Sequence, residues 1–136
     1  MSREDLIKKA LAVMANAYAP YSGYKVGAAL LSSNGNVYLG CNVENAAFGP
    51  TNCAERSAFF SAVSAGEREF RSIAVVGGKD GKVKDNFYPC GVCRQVMAEF
   101  CNEDFEVIVA KDDDNYRVHT LGELLPSGFS PRNIEN

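Results

Sequence analysis

Thr51-Asn52-Cys53-Ala54-Glu55-Arg56 and, further on, Pro89-Cys90-Gly91-Val92-Cys93-Arg94-Gln95 set three thiols and a carboxylate in the spacing of a metal centre. The first stretch offers one thiol and, two residues later, the acid; the second offers two thiols at Cys-x-x-Cys spacing. A structural zinc site closes with four protein ligands, whereas a catalytic one keeps a position for water. Three cysteines leave that position open, and an acid beside it can move protons for a metal-activated water. The two stretches together predict a hydrolytic zinc centre, with Cys53, Cys90 and Cys93 as ligands and Glu55 as proton carrier.

Working outward, each stretch predicts a helix start. Pro89 suits the beginning of a helix, so Cys90 and Cys93, three apart, share its first turn and face one metal. A second helix is expected from about Asn52 to Ala65, stopped by Gly66, with Cys53 in its first turn. Residues two apart do not share a mid-helix face, so Cys53 and Glu55 converge only if the site sits at the helix end. Unpaired backbone N–H groups there favour the thiolate.

The rest of the chain alternates between the two periodicities. Ser2 and Asp5 resemble a capping box, and Leu6, Ile7, Ala10, Leu11 and Met14 follow at helical spacing, predicting a first helix to about Asn16 that Pro20 and Gly23 terminate. Runs 25–31 and 37–43 predict strands joined through Asn34-Gly35, a hairpin signal. Run 72–77 predicts a central strand, 105–110 a fourth, 116–120 a short fifth, and 121–125 a helical turn. The expected fold is a single domain spanning 1–136, an α/β chain built as a three-layer α/β/α sandwich around a five-stranded mixed sheet.

Bulk properties narrow the class. At 136 residues, 46% hydrophobic and 23% charged, the chain can bury one substantial core. A formal charge of -3 speaks against nucleic acid, which calls for a basic face, and towards a small substrate. No apolar run approaches a membrane span, and the charged opening Met1-Ser2-Arg3-Glu4-Asp5 is unlike a signal peptide, so a cytoplasmic location is expected. The odd count of five cysteines fits a reducing compartment, with Cys41 and Cys101 as small buried hydrophobes.

Cys53-Ala54-Glu55 followed by Pro89-Cys90-Gly91-Val92-Cys93 resembles the zinc signature of the cytidine deaminases in its three-cysteine form. The resemblance extends through Ala19-Pro20-Tyr21-Ser22, Val26-Gly27-Ala28-Ala29-Leu30, Gly40-Cys41-Asn42-Val43-Glu44-Asn45-Ala46 and Leu124-Leu125-Pro126, nearly the whole chain. It implies a small homotetrameric enzyme, with one zinc per subunit and neighbours completing each active site. The implied reaction is attack of a metal-activated water on C4 of the cytosine ring of cytidine or 2′-deoxycytidine, releasing ammonia. Glu55 would take the water proton, protonate N3 and later deliver a proton to the leaving amine.

Asn42 and Glu44 lie one residue apart beyond the second strand, pointing the same way in extended chain, and two polar side chains there suit a diol. The resemblance makes that diol the ribose. It further implies that Ala46 contacts substrate, that a backbone N–H near Ala54 reads the ring's O2, and that Tyr24, where the family usually carries Phe, packs on the pyrimidine. Phe48, at a position where Tyr is common, would approach the nucleoside's 5′ end near a neighbouring subunit, and Phe129 would reach across the tetramer onto substrate. Three thiolates and Zn²⁺ sum to a negative charge that must be offset; Arg56 and Arg94, each directly after a motif, are the candidates, and the resemblance favours Arg56.

Other functions remain open on the residues alone. A deaminase of a cytosine-containing antibiotic shares the metal centre, although Asn42 and Glu44 favour a plain nucleoside. An editor of RNA or DNA would need a basic stripe. A Cys-x-x-Cys redox protein leaves Cys53 and Glu55 unexplained. A structural zinc module would recruit Cys41 or Cys101 as its fourth ligand. The sole histidine, His119, is expected to be structural.

Overall fold

Val26, Ala28 and Leu30 alternate with Gly27, Ala29 and Leu31, and all six are buried. A strand apolar on both faces must be covered from both sides. The computed structural model, which describes residues 1–134, covers this strand with helices on each face. The elements in order are α1 (Arg3–Met14), β1 (Tyr24–Ser32), β2 (Val37–Cys41), α2 (Ala54–Ser64), β3 (Phe70–Lys79), α3 (Gly91–Phe100), β4 (Glu106–Asp112), β5 (Asn115–Thr120) and α4 (Leu121–Leu124), followed by a 3-10 turn at Pro131–Ile134.

The five strands form one sheet in the order β2-β1-β3-β4-β5. The β3–β4 pair is parallel and the other three are antiparallel, so the sheet is mixed as expected. A parallel pair needs a crossover, and α3 lies within it. On one face Leu6, Ile7, Ala10 and Met14 of α1 pack against Ala29, Leu31, Ala74, Val76 and Ile108. On the other, Ala58 and Phe59 of α2 and Met97 of α3 pack against Ala28, Leu30, Ile73, Val75 and Val107. The period of two in β1 and β3 thus sends successive residues to different helices, which is the three-layer arrangement.

Two glycines let helices lie directly on strand backbone. A Cβ on Gly27 would fall 2.1 Å from the Ala10 carbonyl oxygen of α1. One on Gly40 would fall 2.4 Å from the Ala54 oxygen and 2.5 Å from the Ala58 nitrogen, both in α2. The start of α2 is therefore seated on β2 at a distance only glycine permits.

Several boundaries differ from expectation for local reasons. The first helix stops at Met14 because the chain tightens into i to i−3 bonds, Asn16 N–H to Val13 and Ala17 N–H to Met14. The second strand stops at Cys41, not Val43, since beyond it Val43 bridges Tyr18 and Asn52 instead of continuing the β1 ladder. The second helix begins at Ala54 and the third at Gly91, so Cys53 and Cys90 are N-caps outside the first turn. Gly78 and Lys79, beyond the predicted strand 72–77, extend β3 and pair with Lys25 and Tyr24. No helix among the described residues is long and apolar enough to cross a membrane.

Candidate active site

Cys53 and Cys90 both hold extended backbone at a helix N-cap, and neither side chain makes the usual capping bond. Both sulfurs are therefore left for another partner beside unpaired helix-start N–H groups. Cys93, one turn into α3, is fully buried beneath them. The Cys53 and Cys90 sulfurs lie 3.7 Å apart and those of Cys90 and Cys93 3.5 Å apart, with all three within 4.8 Å of one another. Tetrahedral Zn–S bonds of about 2.3 Å imply S···S edges of about 3.8 Å. The donor set and its spacing fit zinc, with three thiols and one side open.

The electrostatics support thiolate at this point. A hydrogen bond from Cys93, then the Arg56 guanidinium, hold the Cys53 thiol down at about 5 against the effect of burial. Arg56 Nη2 donates to the Cys53 sulfur at 3.2 Å, one helical turn away, and its Nε is buried without a partner. Cys93 is driven the other way, by its bond to Cys53 and by burial. Glu55 is 4% exposed, and burial pushes its carboxyl up to about 7, with the Cys53 charge adding to the effect. Glu55 in turn pushes the Cys93 thiol up.

Arg94, the other arginine considered for charge compensation, is engaged elsewhere. Its Nε donates to the Pro89 carbonyl at 2.8 Å and its Nη1 to the Leu124 carbonyl at 2.7 Å. The Leu124 oxygen is an unpaired helix-end acceptor, which a guanidinium suits. Arg94 thus ties the α4 end to the start of α3.

Asn42 and Glu44 follow the end of β2, and each has internal partners that the sequence did not suggest. Asn42, buried, accepts the Val26 N–H at 2.8 Å and donates to the Tyr24 carbonyl at 2.7 Å. Glu44 accepts the Tyr21 and Ser22 N–H groups, each at 3.0 Å, and the Ser22 hydroxyl. The Tyr24 ring is half exposed, stacked on Phe87 with centroids 6.2 Å apart, and Lys79 Nζ lies 5.3 Å from its centre. Ala46 and Phe48 sit on an exposed loop closed by an Asn45 N–H bond to Thr51 Oγ1. Phe48 is 82% exposed and Phe129 59%. The Phe129 carbonyl accepts from Gln95 Nε2 at 2.8 Å, which attaches the tail to α3. His119 lies away from the sulfurs, with Nε2 3.2 Å from the Tyr88 hydroxyl.

Tyr21, Ser22 and Lys79 carried no site role in the sequence reading: the first two fall where Pro20 and Gly23 end the first helix, and Lys79 lies just past the predicted strand 72–77. The β1–β2 pairing and the Tyr18–Val43 bridge bring Tyr21 and Ser22 beside Glu44, and the antiparallel pairing of Tyr24 with Lys79 brings Lys79 there.

The family model for the cytidine and deoxycytidylate deaminase zinc-binding region matches residues 1–110. The chain belongs to that family. It is 46% identical over 134 residues to a cytidine deaminase of Sporosarcina psychrophila, covering 98% of this chain and 96% of the relative. Against a cytidine deaminase of Halalkalibacterium halodurans it is 45% identical over 136 residues, covering all of both. The crystal structure of a cytidine deaminase from Burkholderia pseudomallei superposes with a TM-score of 0.87 at 49% identity, covering 95% of this chain and 100% of that one. Within this zinc-binding family the Cys53–Cys90–Cys93 triangle is the candidate metal site of the chain.

Proposed function

We propose that this chain is a hydrolytic deaminase of cytidine and 2′-deoxycytidine, acting as a single domain over residues 1–136. The observation that carries the proposal is three sulfurs at zinc spacing with a buried carboxylate, Glu55, two residues along the chain from one of them. Full-length relatives named as cytidine deaminases support the substrate. Bound by Cys53, Cys90 and Cys93, zinc supplies a Lewis acid that makes a water acidic at neutral pH.

The chain's own groups do the rest. Glu55 accepts the proton of the attacking water and passes it to N3 as the water oxygen bonds to C4. It then takes the remaining proton from the hydroxyl now on C4 and delivers it to the amine there, whose C–N bond breaks to release ammonia as the C4 oxygen becomes the uracil carbonyl. One carboxylate serves both transfers because it is fixed while the proton moves over a short distance. Arg56 offsets the thiolate charge through Cys53. The Ala54 N–H, at the open start of α2, reads O2. Tyr24 covers the pyrimidine ring, Asn42 and Glu44 meet the sugar, and Ala46 lines the same loop.

The exposure of Phe48 and Phe129 supports a homotetramer in which each ring acts at a neighbour's site, since aromatic rings this exposed on one chain are enriched at interfaces. Five free cysteines support a cytoplasmic location.

The test is the ultraviolet change on adding zinc-loaded protein to cytidine, 2′-deoxycytidine, cytidine monophosphate and cytosine. Conversion of the two nucleosides is expected. Glu55→Gln should then lose roughly 10²–10⁴-fold in kcat while keeping its zinc. A zinc-replete protein that converts none of the four would overturn the proposal.

A further inference from the structure

The Ser22 hydroxyl donates to Glu44 Oε2 and accepts the Tyr24 N–H at 3.0 Å. Glu44 Oε1 is already filled by the N–H groups of Tyr21 and Ser22. An ionised carboxylate offers about four acceptor positions. The turn at 21–22 takes three of them, so the one left is on Oε2, the oxygen that Ser22 holds. Ser22 is itself anchored: Lys79 Nζ donates to its carbonyl at 2.7 Å, and the Asp80 N–H donates to the Gly23 carbonyl at 2.7 Å. Ser22 is also the first cause holding the Glu44 carboxyl below the usual glutamate range.

We propose that Ser22 is a positioning residue for sugar recognition, its hydroxyl fixing the Glu44 carboxylate so that one acceptor position stays open to a nucleoside hydroxyl. The inference rests on the deaminase reading, in which Glu44 meets the sugar. The final torsion of a glutamate is broad, so a carboxylate held through one oxygen alone can swing about it. Ser22 removes that freedom before substrate arrives, which lowers the ordering cost of binding. The contact forms equally in the bound substrate and in the transition state, so its loss appears in KM with kcat less changed.

The experiment compares kcat/KM for cytidine with that for 2′,3′-dideoxycytidine, which lacks the 2′ and 3′ hydroxyls, in the zinc-loaded full chain. Ser22→Ala should lower the cytidine-to-dideoxycytidine ratio about tenfold, the scale of one hydrogen bond to a charged group. The loss should lie in KM, and Ser22→Thr, which keeps the hydroxyl at an exposed position, should restore the ratio. Glu44→Gln is measured alongside. If Glu44→Gln lowers the ratio and Ser22→Ala does not, or if Ser22→Thr is as impaired as Ser22→Ala, the positioning role is wrong. If Glu44→Gln leaves the ratio unchanged, the sugar contact itself falls and the role of Ser22 falls with it.

Discussion

Gly40→Ala tests how far the metal centre depends on the seating of α2 upon β2. The added Cβ would lie 2.4 Å from the Ala54 oxygen and 2.5 Å from the Ala58 nitrogen, whereas ordinary contact begins at 3.4 Å. Both atoms are backbone, so no side chain can swing aside, and the first turn of α2 must retreat by about 1 Å from a close-packed sheet. Cys53 caps that turn and Glu55 lies within it, while Cys90 and Cys93 are held separately by α3. The same retreat therefore separates Cys53 from its 3.7 Å approach to Cys90. Overpacking of this kind costs roughly 1–3 kcal/mol, a Tm drop of about 4–10 °C for a chain this long. A misplacement of about 1 Å in a catalytic group costs on the order of 10²-fold in rate. The assays are a thermal melt, zinc per chain, and cytidine turnover, with Gly49→Ala as control because its Cβ meets nothing within 4 Å. A Gly40→Ala protein with lowered Tm but full zinc and full rate would show that β2 yields instead of α2. That result would refute the coupling.

Other perturbations probe charge. Arg56→Gln removes the cation 3.2 Å from the Cys53 sulfur, which helps hold that thiol at about 5. With the guanidinium gone the thiol's pKa rises, so protons compete with zinc at higher pH; a pH titration of metal release should begin at higher pH in the variant, and coincident curves would remove the role. Glu67 is a buried carboxylate held below the usual range by neutral donors, the Ser32 side chain first, then Asn36 at 3.1 Å, Asn34 at 2.9 Å and Tyr38 at 3.1 Å. A depressed carboxyl contributes stability that is present above the unfolded pKa and is lost as pH falls through the folded one. Glu67→Gln should thus lower Tm at pH 7, and the gap from the natural chain should shrink below about pH 4; a gap independent of pH would point to shape instead of charge.

How much of the site was legible depended on the kind of signal each residue carries. Cys53, Cys90, Cys93 and Glu55 could be named because metal ligation constrains residue type and short-range spacing together. The two helix starts were each placed two residues early, since Asn52 and Pro89 carry the usual start signals while the cysteines occupy the caps. The partners of Asn42 and Arg94 were not legible. Val26 lies 16 residues from Asn42 and Leu124 30 residues from Arg94, and no local pattern encodes those distances.

By itself the sequence pointed to a zinc centre and to the layers. Three thiols and an acid at those spacings admit few other uses, and the apolar runs in β1, β3 and β4 demand cover on both faces. Only the tertiary structure decided that α2 and α3 share one face, that Gly40 seats the Cys53 cap, and that Arg56 alone of the two arginines reaches a sulfur. It also brought Ser22 to Glu44 through the β1–β2 ladder and the Tyr18–Val43 bridge, and Lys79 to the Ser22 carbonyl by pairing the start of β1 with the end of β3. The physical reason is range. Periodicity and ligand spacing act within a turn or two of chain, whereas a hydrogen-bond partner across a sheet is set by register, which packing fixes only when the whole core is assembled.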